Sequence, residues 1–252
     1  MKPLTAISLC SGADGFSLAA SLLGIEVLAH VESESIFYDH YKRHWPKSLI
    51  FSDLKTVDPD DLPDADIIFG GEPCQGNSVA GQRKGKSDDR YLWPDYFRIC
   101  KAKRPSWIIN ENVTGSISNV VLDTKITDLE NEGYTGIPFN IPAVAVNACH
   151  ERQRIWLVAN LNSKRRNDDE NCARVEESIT NNNQLCYETR FHSRKTSYTN
   201  SDPIREIIDK RFLWGINDVP QELAEIKAYG NAVVPWIPYV LLKFIQEIET
   251  YY

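Results

Sequence analysis

Residues 65–78 read ADIIFGGEPCQGNS, and the apolar run in this stretch ends abruptly at two glycines. A short apolar run that is closed by glycine and proline predicts a buried strand followed by a loop. A structural cysteine belongs inside such a run, but Cys74 stands beyond it, directly after Pro73. The stretch therefore predicts a strand end that presents a reactive thiol at the mouth of a site.

The same alternation extends outward from this strand. Further apolar runs predict strands, at residues 6–9, 26–31, 107–110 and 155–159. Amphipathic stretches predict helices, at residues 16–24, 35–45, around Cys100 and at 236–245. Strands that alternate with helices are typical of a doubly wound, mostly parallel sheet. The predicted fold class is therefore α/β and Rossmann-like, with ligands bound beyond the carboxyl ends of the strands.

Composition narrows the class of protein. The chain has 252 residues, 42% hydrophobic and 25% charged, which suits one sizeable core with or without a small appendage. The formal net charge of −7 argues against indiscriminate polyanion binding, although a local basic groove remains compatible with it. No apolar run is long enough to cross a membrane and no signal-peptide pattern is present, so a cytoplasmic protein is expected. Six scattered cysteines without a CxxC pair predict reduced thiols and no metal site.

The second half of the chain is more polar than the first. Residues 162–202 are rich in Asn, Ser, Arg, Asp and Glu and carry no helical or strand period. The predicted organisation is a cofactor-binding and catalytic domain at 1–161, a small polar region or insertion at 162–212, and a C-terminal segment at 213–252 that returns to the first domain.

A glycine turn follows the first predicted strand, in SGADG at residues 11–15. Glu32 and Asp53 follow the next two apolar segments, where acids commonly bind ribose or adenine. Asp14 would repel a pyrophosphate and GxGxxG is missing, which disfavours a dinucleotide oxidoreductase. The pattern favours an adenosine cofactor without phosphate, such as S-adenosylmethionine. Each feature alone also fits a plain turn or a solvated charge.

Further chemistry-bearing residues stand beside predicted strand ends: Cys74, Glu111, Arg152 and Arg154. A thiolate can add to a pyrimidine ring carbon, and the resulting enamine can attack a methyl donor. A carboxyl at ring N3 and a guanidinium at ring O2 would stabilise the charge that develops during addition. Taken singly, these residues also fit a buried thiol, a capping acid and surface ion pairs.

Ordered motifs resemble the DNA cytosine-5 methyltransferases, in the compact form common in phages and prophages. The quoted motifs are LCSGADGF, GGEPCQGNSVAGQRKG, ENVTGS, AVNACHERQRIWLVA and IKAYGNAVVPWIPYVLLKFI. The resemblance implies an S-adenosylmethionine-dependent methyltransferase fold, methylation of C5 of cytosine in double-stranded DNA, and flipping of the target base out of the duplex. It also implies a cytoplasmic setting in a bacterial, archaeal or phage-infected cell, with or without a cognate restriction endonuclease. Residues 162–202 lie where this family places its target-recognition region.

Site roles carry over from the resemblance by position. Cys74 would be the nucleophile, Glu111 would contact N3 and Arg154 would contact O2. Arg152 would either orient the site or contact phosphate. The implied cofactor contacts are Ser11, Gly12, Phe16, Glu32, Asp53 and Asn231. The implied DNA contacts are Ser78, Arg83, Lys84 and Arg90.

Several residues depart from the family pattern. Asp14 stands where glycine is usual, Ser8 where aspartate is usual, and Glu72 where a large apolar residue is usual. Whether Asp14 and Ser8 weaken cofactor binding is left open by the sequence. Two alternatives therefore stay open: a catalytically silent DNA-binding relative, and an RNA cytosine methyltransferase, although Pro73-Cys74-Gln75 favours DNA.

Overall fold

The computed structural model describes residues 2–72, 91–113, 119–146, 152–161 and 233–251. Seven strands form one sheet: β1 Thr5–Leu9, β2 Glu26–Val31, β3 Leu49–Phe51, β4 Ile67–Gly71, β5 Trp107–Val113, β6 Tyr134–Pro142 and β7 Gln153–Leu161. The α-helices within these ranges are α1 Gly15–Leu22, α2 Tyr38–His44, α3 Trp93–Lys103, α4 Asn119–Asn131 and α5 Trp236–Tyr251. Short 3-10 segments cover Ser35–Phe37, Pro59–Asp61 and Ala143–Val146.

The strand order is β3-β2-β1-β4-β5-β7-β6. The first five strands pair in parallel, whereas β7 runs antiparallel to both β5 and β6. From β1 the chain adds β2 and β3 on one side of the sheet, and it then adds β4 and β5 on the other side. The loops after β1 and β4 therefore diverge and leave a crevice between them. The predicted α/β class with a mostly parallel sheet is confirmed.

Helices cover both faces of the sheet, and each face has its own hydrophobic core. One core joins β1 and β5 to α3 through Ile7, Ile108, Trp93 and Cys100. The other core carries α1 and α5 against the opposite face, with Phe16, Ala19, Ile67, Trp156 and Leu242 among its members. Because the central strands are buried on both faces, they read as continuous apolar runs rather than alternating ones.

The C-terminal helix predicted from the sequence is confirmed and packs on α1. Leu242 and Ile245 are fully buried, and Gln246 Nε2 donates to the Leu23 carbonyl oxygen at 2.9 Å. Trp107 Nε1 donates to Glu249 Oε1 at 2.9 Å, which ties the same helix to β5. Gly15 is required at the start of α1, because a Cβ there would lie 2.3 Å from the Val233 carbonyl oxygen.

Other sequence predictions meet the structure with small changes. The strand expected at residues 64–69 begins at Ile67, because the Asp66 carboxylate turns to bind the Thr5 backbone amide at 2.8 Å. The helix expected at 35–45 begins as a 3-10 turn and becomes α-helical at Tyr38. The sequence pattern did not predict α4 or β6. Cys100 is helical and fully buried, as expected of a structural cysteine.

The domain boundaries after residues 161 and 212 stay predictions, because residues 162–232 lie outside the described ranges. In the described part of the chain no helix is both long and apolar enough to cross a membrane.

Candidate active site

The turn after β1 brings backbone groups to the carboxyl edge of the sheet. Cys10, Gly12 and Asp14 all have positive φ, at 52°, 55° and 57°. Alternating left-handed residues curl the backbone, and Ser11 Oγ closes the curl by donating to the Ser8 carbonyl oxygen at 3.1 Å. Only Gly12 is free of a side-chain penalty in this conformation, which explains a glycine at that position. The turn leads directly into the N-terminus of α1.

Glu32 lies beside this turn at the end of β2. Its Oε2 accepts the Gly12 amide at 2.7 Å and its Oε1 accepts the Glu34 amide at 2.8 Å. The side chain is 8% exposed, and burial raises its pKa although these two amides oppose the rise. A carboxylate fixed in this way retains acceptor lone pairs for a hydroxyl-bearing ligand.

The other predicted cofactor residues lie in different surroundings. Asp53 is half-buried after β3, where its Oδ1 accepts the Lys55 amide at 2.9 Å. The Phe16 ring is 3% exposed and stacks on Phe69 with ring centroids 5.1 Å apart. Phe16 is therefore a core residue beneath the turn, and its predicted contact with the cofactor stays a prediction.

The Asp14 carboxylate does not point out of the turn. It is 2% exposed and caps α1, with Oδ1 accepting the Ser17 amide at 2.9 Å and the Ser8 hydroxyl at 3.2 Å. His30 Nε2 lies 2.8 Å from Asp14 Oδ2 and 3.2 Å from the Ser17 hydroxyl oxygen. The helix N-terminus therefore draws the Asp14 carboxylate inward rather than toward a ligand, and the effect of this residue on cofactor binding stays a prediction.

A second group of predicted site residues, the catalytic group, centres on Glu111 and Arg154. Arg154 Nε lies 2.8 Å from Glu111 Oε1, and the side chains are 16% and 12% exposed. The pair is local to the sheet, because Glu111 in β5 and Arg154 in β7 lie on neighbouring antiparallel strands. Burial raises the pKa of Glu111, while Arg154 and then Arg152 oppose the rise. The raised pKa favours the acid form of this carboxyl group.

Gly71 at the end of β4 leaves room for this carboxyl group. Gly71 is paired with Glu111 across the parallel strands. A Cβ on Gly71 would lie 2.7 Å from Glu111 Oε2, which is too close for any two such atoms. A side chain at position 71 would therefore displace the Glu111 carboxyl group from the position it occupies here.

Arg152 stands just before β7 with φ of 26°, an uncommon backbone conformation for a side chain of this size. Burial lowers its pKa first, the neighbouring Arg154 lowers it further, and Glu111 opposes both. Arg154 thus pairs with the Glu111 carboxyl group, and Arg152 acts on it electrostatically.

A residue that the sequence analysis missed lies behind this cluster. Lys125 of α4 is fully buried, pairs with the Glu72 carboxylate and donates to Asn110 Oδ1 at 2.8 Å. The available signal was a lysine in the middle of an i, i+4, i+8 stripe, between the buried Val121 and Leu129. A buried lysine in such a stripe needs an acid partner, and Glu72 was the acid at a usually apolar position.

Several predicted site residues lie outside the described ranges, and their roles stay predictions. These are Cys74, Ser78, Arg83, Lys84, Arg90 and Asn231. Within the described ranges no three His, Cys, Asp or Glu side chains come together as a metal site.

Comparison with known proteins adds the family. The C-5 cytosine-specific DNA methylase family matches residues 4–221. Among curated proteins, the Type II methyltransferase M.FnuDI of Fusobacterium nucleatum is 32% identical over 60% of this chain and 45% of its own length. The Type II methyltransferase M.NgoPII of Neisseria gonorrhoeae is 38% identical over 47% of this chain and 36% of its own length.

A solved structure has the same fold. A candidate DNA modification methyltransferase encoded within an E. coli prophage superposes with a TM-score of 0.54 at 26% identity, over 64% of this chain and 47% of its own. The matched part thus spans less than half the length of each of these relatives. The family match covers both clusters described above, and the chain belongs to the C-5 cytosine-specific DNA methylases.

Proposed function

We propose that this protein transfers a methyl group from S-adenosylmethionine to C5 of cytosine in double-stranded DNA. The observation that carries the proposal is the buried Glu111–Arg154 pair, 2.8 Å from Oε1 to Nε. It lies at the end of β5, next to the strand end that runs into Pro73-Cys74. An acid and a guanidinium at one carboxyl edge match the N3 and O2 edge of a cytosine ring.

The glycine turn after β1, together with Glu32 and Asp53, suits the cofactor. Glu32 would accept the ribose hydroxyls, the turn at Ser11 and Gly12 would approach the ligand closely, and Asp53 would bind the adenine amino group. The inward orientation of Asp14 removes one reason to expect weak binding. When bound, S-adenosylmethionine supplies an electrophilic methyl group.

The protein's own residues would act on the ring. The Cys74 thiolate forms a bond from its sulfur to C6, and the electron pair of the C5=C6 double bond becomes available at C5. Glu111 in its acid form donates to N3 and Arg154 donates to O2, so both stabilise the charge that develops on the ring. After methylation, loss of the C5 proton to solvent re-forms the double bond and expels the thiolate.

Recognition of DNA would use the predicted phosphate contacts at Ser78, Arg83, Lys84 and Arg90. The target cytosine would leave the duplex, because its ring face is not accessible within the stack. The biological role would be protection from a cognate restriction endonuclease or marking without one.

A covalent trap tests this function. Duplex DNA with 5-fluorocytosine, incubated with the protein and S-adenosylmethionine, should give a stable protein–DNA adduct, because fluorine does not leave as a proton does. A library of random duplexes removes the need to know the recognition sequence. Cys74→Ser should give no adduct while unfolding at the same temperature as the wild type.

The outcomes separate the candidate functions. Adduct formation with matched RNA and not with DNA would favour the RNA methyltransferase alternative. Binding of DNA and cofactor without any adduct would favour the silent relative and overturn the proposal.

A further inference from the structure

Four buried polar side chains form a closed network behind the catalytic edge, and no role in methyl transfer has been given to it. Its members are Glu72, Asn110, Asn112 and Lys125, which are 5%, 1%, 3% and 0% exposed. They come from the end of β4, from β5 and from α4. Burying four polar groups together is costly unless each finds a partner, so their arrangement calls for a reason.

Each polar end in the network is matched. Lys125 Nζ pairs with Glu72 Oε1 and donates to Asn110 Oδ1 at 2.8 Å. Asn110 Nδ2 donates to Glu72 Oε2 at 2.8 Å, and Asn112 Nδ2 donates to Glu72 Oε1 at 3.1 Å. The Lys125 ammonium also lies 4.8 Å from the centre of the Trp93 ring, a cation–π contact. Glu72 thus receives three donors and joins the end of β4 to β5.

The network binds Asn110 and Asn112, the two residues that flank Glu111. Side chains alternate between the faces of a strand, so Asn110 and Asn112 share one face while Glu111 occupies the other. On that other face Glu111 packs over Gly71 and pairs with Arg154. The same short stretch of β5 is therefore held on one face by Glu72 and Lys125 and presents the acid on the other.

We propose that Glu72 and Lys125 are positioning residues, which hold the Glu111 carboxyl group in place for its contact with the cytosine ring. The proposal rests on the proposed function, since that function gives Glu111 its contact with N3. Glu72 is also two residues before Cys74, so the network fixes the strand end from which the nucleophile's segment departs.

The charges around Glu111 make the proposal measurable. Arg154 in β7 and Arg152 just before it lower the pKa of Glu111, and Glu72 just after β4 raises it. Lys125 from α4 lies behind Glu72 and offsets its negative charge. Removing the Glu72 charge should therefore lower the pKa of Glu111, and removing the Lys125 charge should raise it.

The test is a carboxyl-carbon NMR titration of Glu111 in the full-length protein, assigned by loss of its signal in Glu111→Gln. Glu72→Gln, Lys125→Met and the double variant Glu72→Gln/Lys125→Met are compared with the wild type. We expect the midpoint to fall in Glu72→Gln, to rise in Lys125→Met, and to return toward the wild type in the double variant. Lys101→Met is the matched control, since Lys101 pairs with Glu132 on the surface and should leave the midpoint unchanged.

Activity supplies a second readout. The alkaline limb of the kcat/KM profile should move in the same direction as each midpoint. At its optimum pH, Lys125→Met should lose on the order of 10- to 100-fold in single-turnover rate, with little change in DNA affinity. A loss of this size is expected when a reacting group is misplaced by about 1 Å. The double variant keeps the test valid if Lys125→Met does not fold.

The possible results separate the two proposals. Equal Glu111 midpoints in all the variants, or shifts of the same sign in both single variants, would overturn the positioning role. A wild type that forms no adduct with 5-fluorocytosine DNA would overturn the proposed function, while the titration would still decide whether the network controls Glu111.

Discussion

Asp14 and Glu72 are two acids at positions where the resembled family usually has glycine and a large apolar residue. Both side chains are buried, at 2% and 5% exposed, but their partners differ. Asp14 receives a helix-terminal amide and a serine hydroxyl, and His30 Nε2 lies close to its second oxygen. Glu72 receives two side-chain amides and the ammonium group of Lys125.

The two buried carboxylates differ in how easily a substitution removes the group that stabilises each of them. The amide that holds Asp14 belongs to the backbone of Ser17 in α1, so a change of side chain there leaves this donor in place. The cation that holds Glu72 is one side chain on a separate helix. A buried carboxylate that loses its only cation is far more costly than one that loses a dipolar donor. The Glu72 site should therefore be fragile, and the Asp14 site robust.

Lys125→Met gives the largest effect, because among the described residues it leaves the buried Glu72 carboxylate with neutral amide donors only. We expect the free energy of unfolding to fall by about 3–5 kcal/mol, measured by urea denaturation. The double variant Glu72→Leu/Lys125→Met should recover most of this loss, since an apolar pair removes the buried charge. A loss below about 1 kcal/mol in Lys125→Met would mean that the carboxylate does not depend on this cation.

Glu32 gives the next effect and extends the comparison to a carboxylate with a ligand role. Glu32→Gln should weaken binding of S-adenosylmethionine on the order of 10- to 100-fold, the size of one or two lost charged hydrogen bonds. Because burial raises the pKa of Glu32, its carboxylate is protonated as pH falls through that raised value, so wild-type affinity should fall there and the variant's should not. Calorimetry across mildly acidic pH measures both, and a wild-type affinity independent of pH would contradict the assignment.

Asp14 gives a moderate and graded effect. Asp14→Ala should lower the free energy of unfolding by about 0.5–2 kcal/mol, because the cap of α1 is lost and alanine tolerates the φ of 57° poorly. Asp14→Gly should lose less, since glycine accepts this conformation, and Asp14→Asn least, since asparagine still caps. Thermal unfolding ranks the three, and a larger loss in Asp14→Asn than in Asp14→Ala would mean that the contact with His30 dominates the cap.

The smallest effect is expected at the surface pair Lys42–Asp39. These side chains are 66% and 84% exposed and 3.5 Å apart, so water replaces each partner readily. Lys42→Met should leave unfolding and cofactor affinity unchanged within error. A clear loss would show that burial is not what separates the Glu72 site from ordinary ion pairs.

Local pattern predicted the central strands and the residues at their ends. Apolar runs closed by glycine or an acid marked β1, β2, β4 and β5, and the carboxyl ends of parallel strands meet at one edge whatever the intervening sequence. That rule predicted that Glu32 lies beside the glycine turn, where its carboxylate accepts the Gly12 amide. It failed for β6, whose mixed composition carries no clear period, and for α4, where the charged Lys125 interrupts the buried stripe between Val121 and Leu129.

The sequence by itself determined the α/β class, the order of the motifs and the pairing of acids with strand ends, because these follow from local periodicity and the geometry of parallel strands. Only the tertiary structure decided where the Asp14 and Glu72 carboxylates point and which groups neutralise them. Lys125 lies 53 residues from Glu72 along the chain. His30 lies in β2, whereas Asp14 caps α1. Such partners are set by how helices pack on the sheet, and a pattern read over a few neighbouring residues contains no information about that packing.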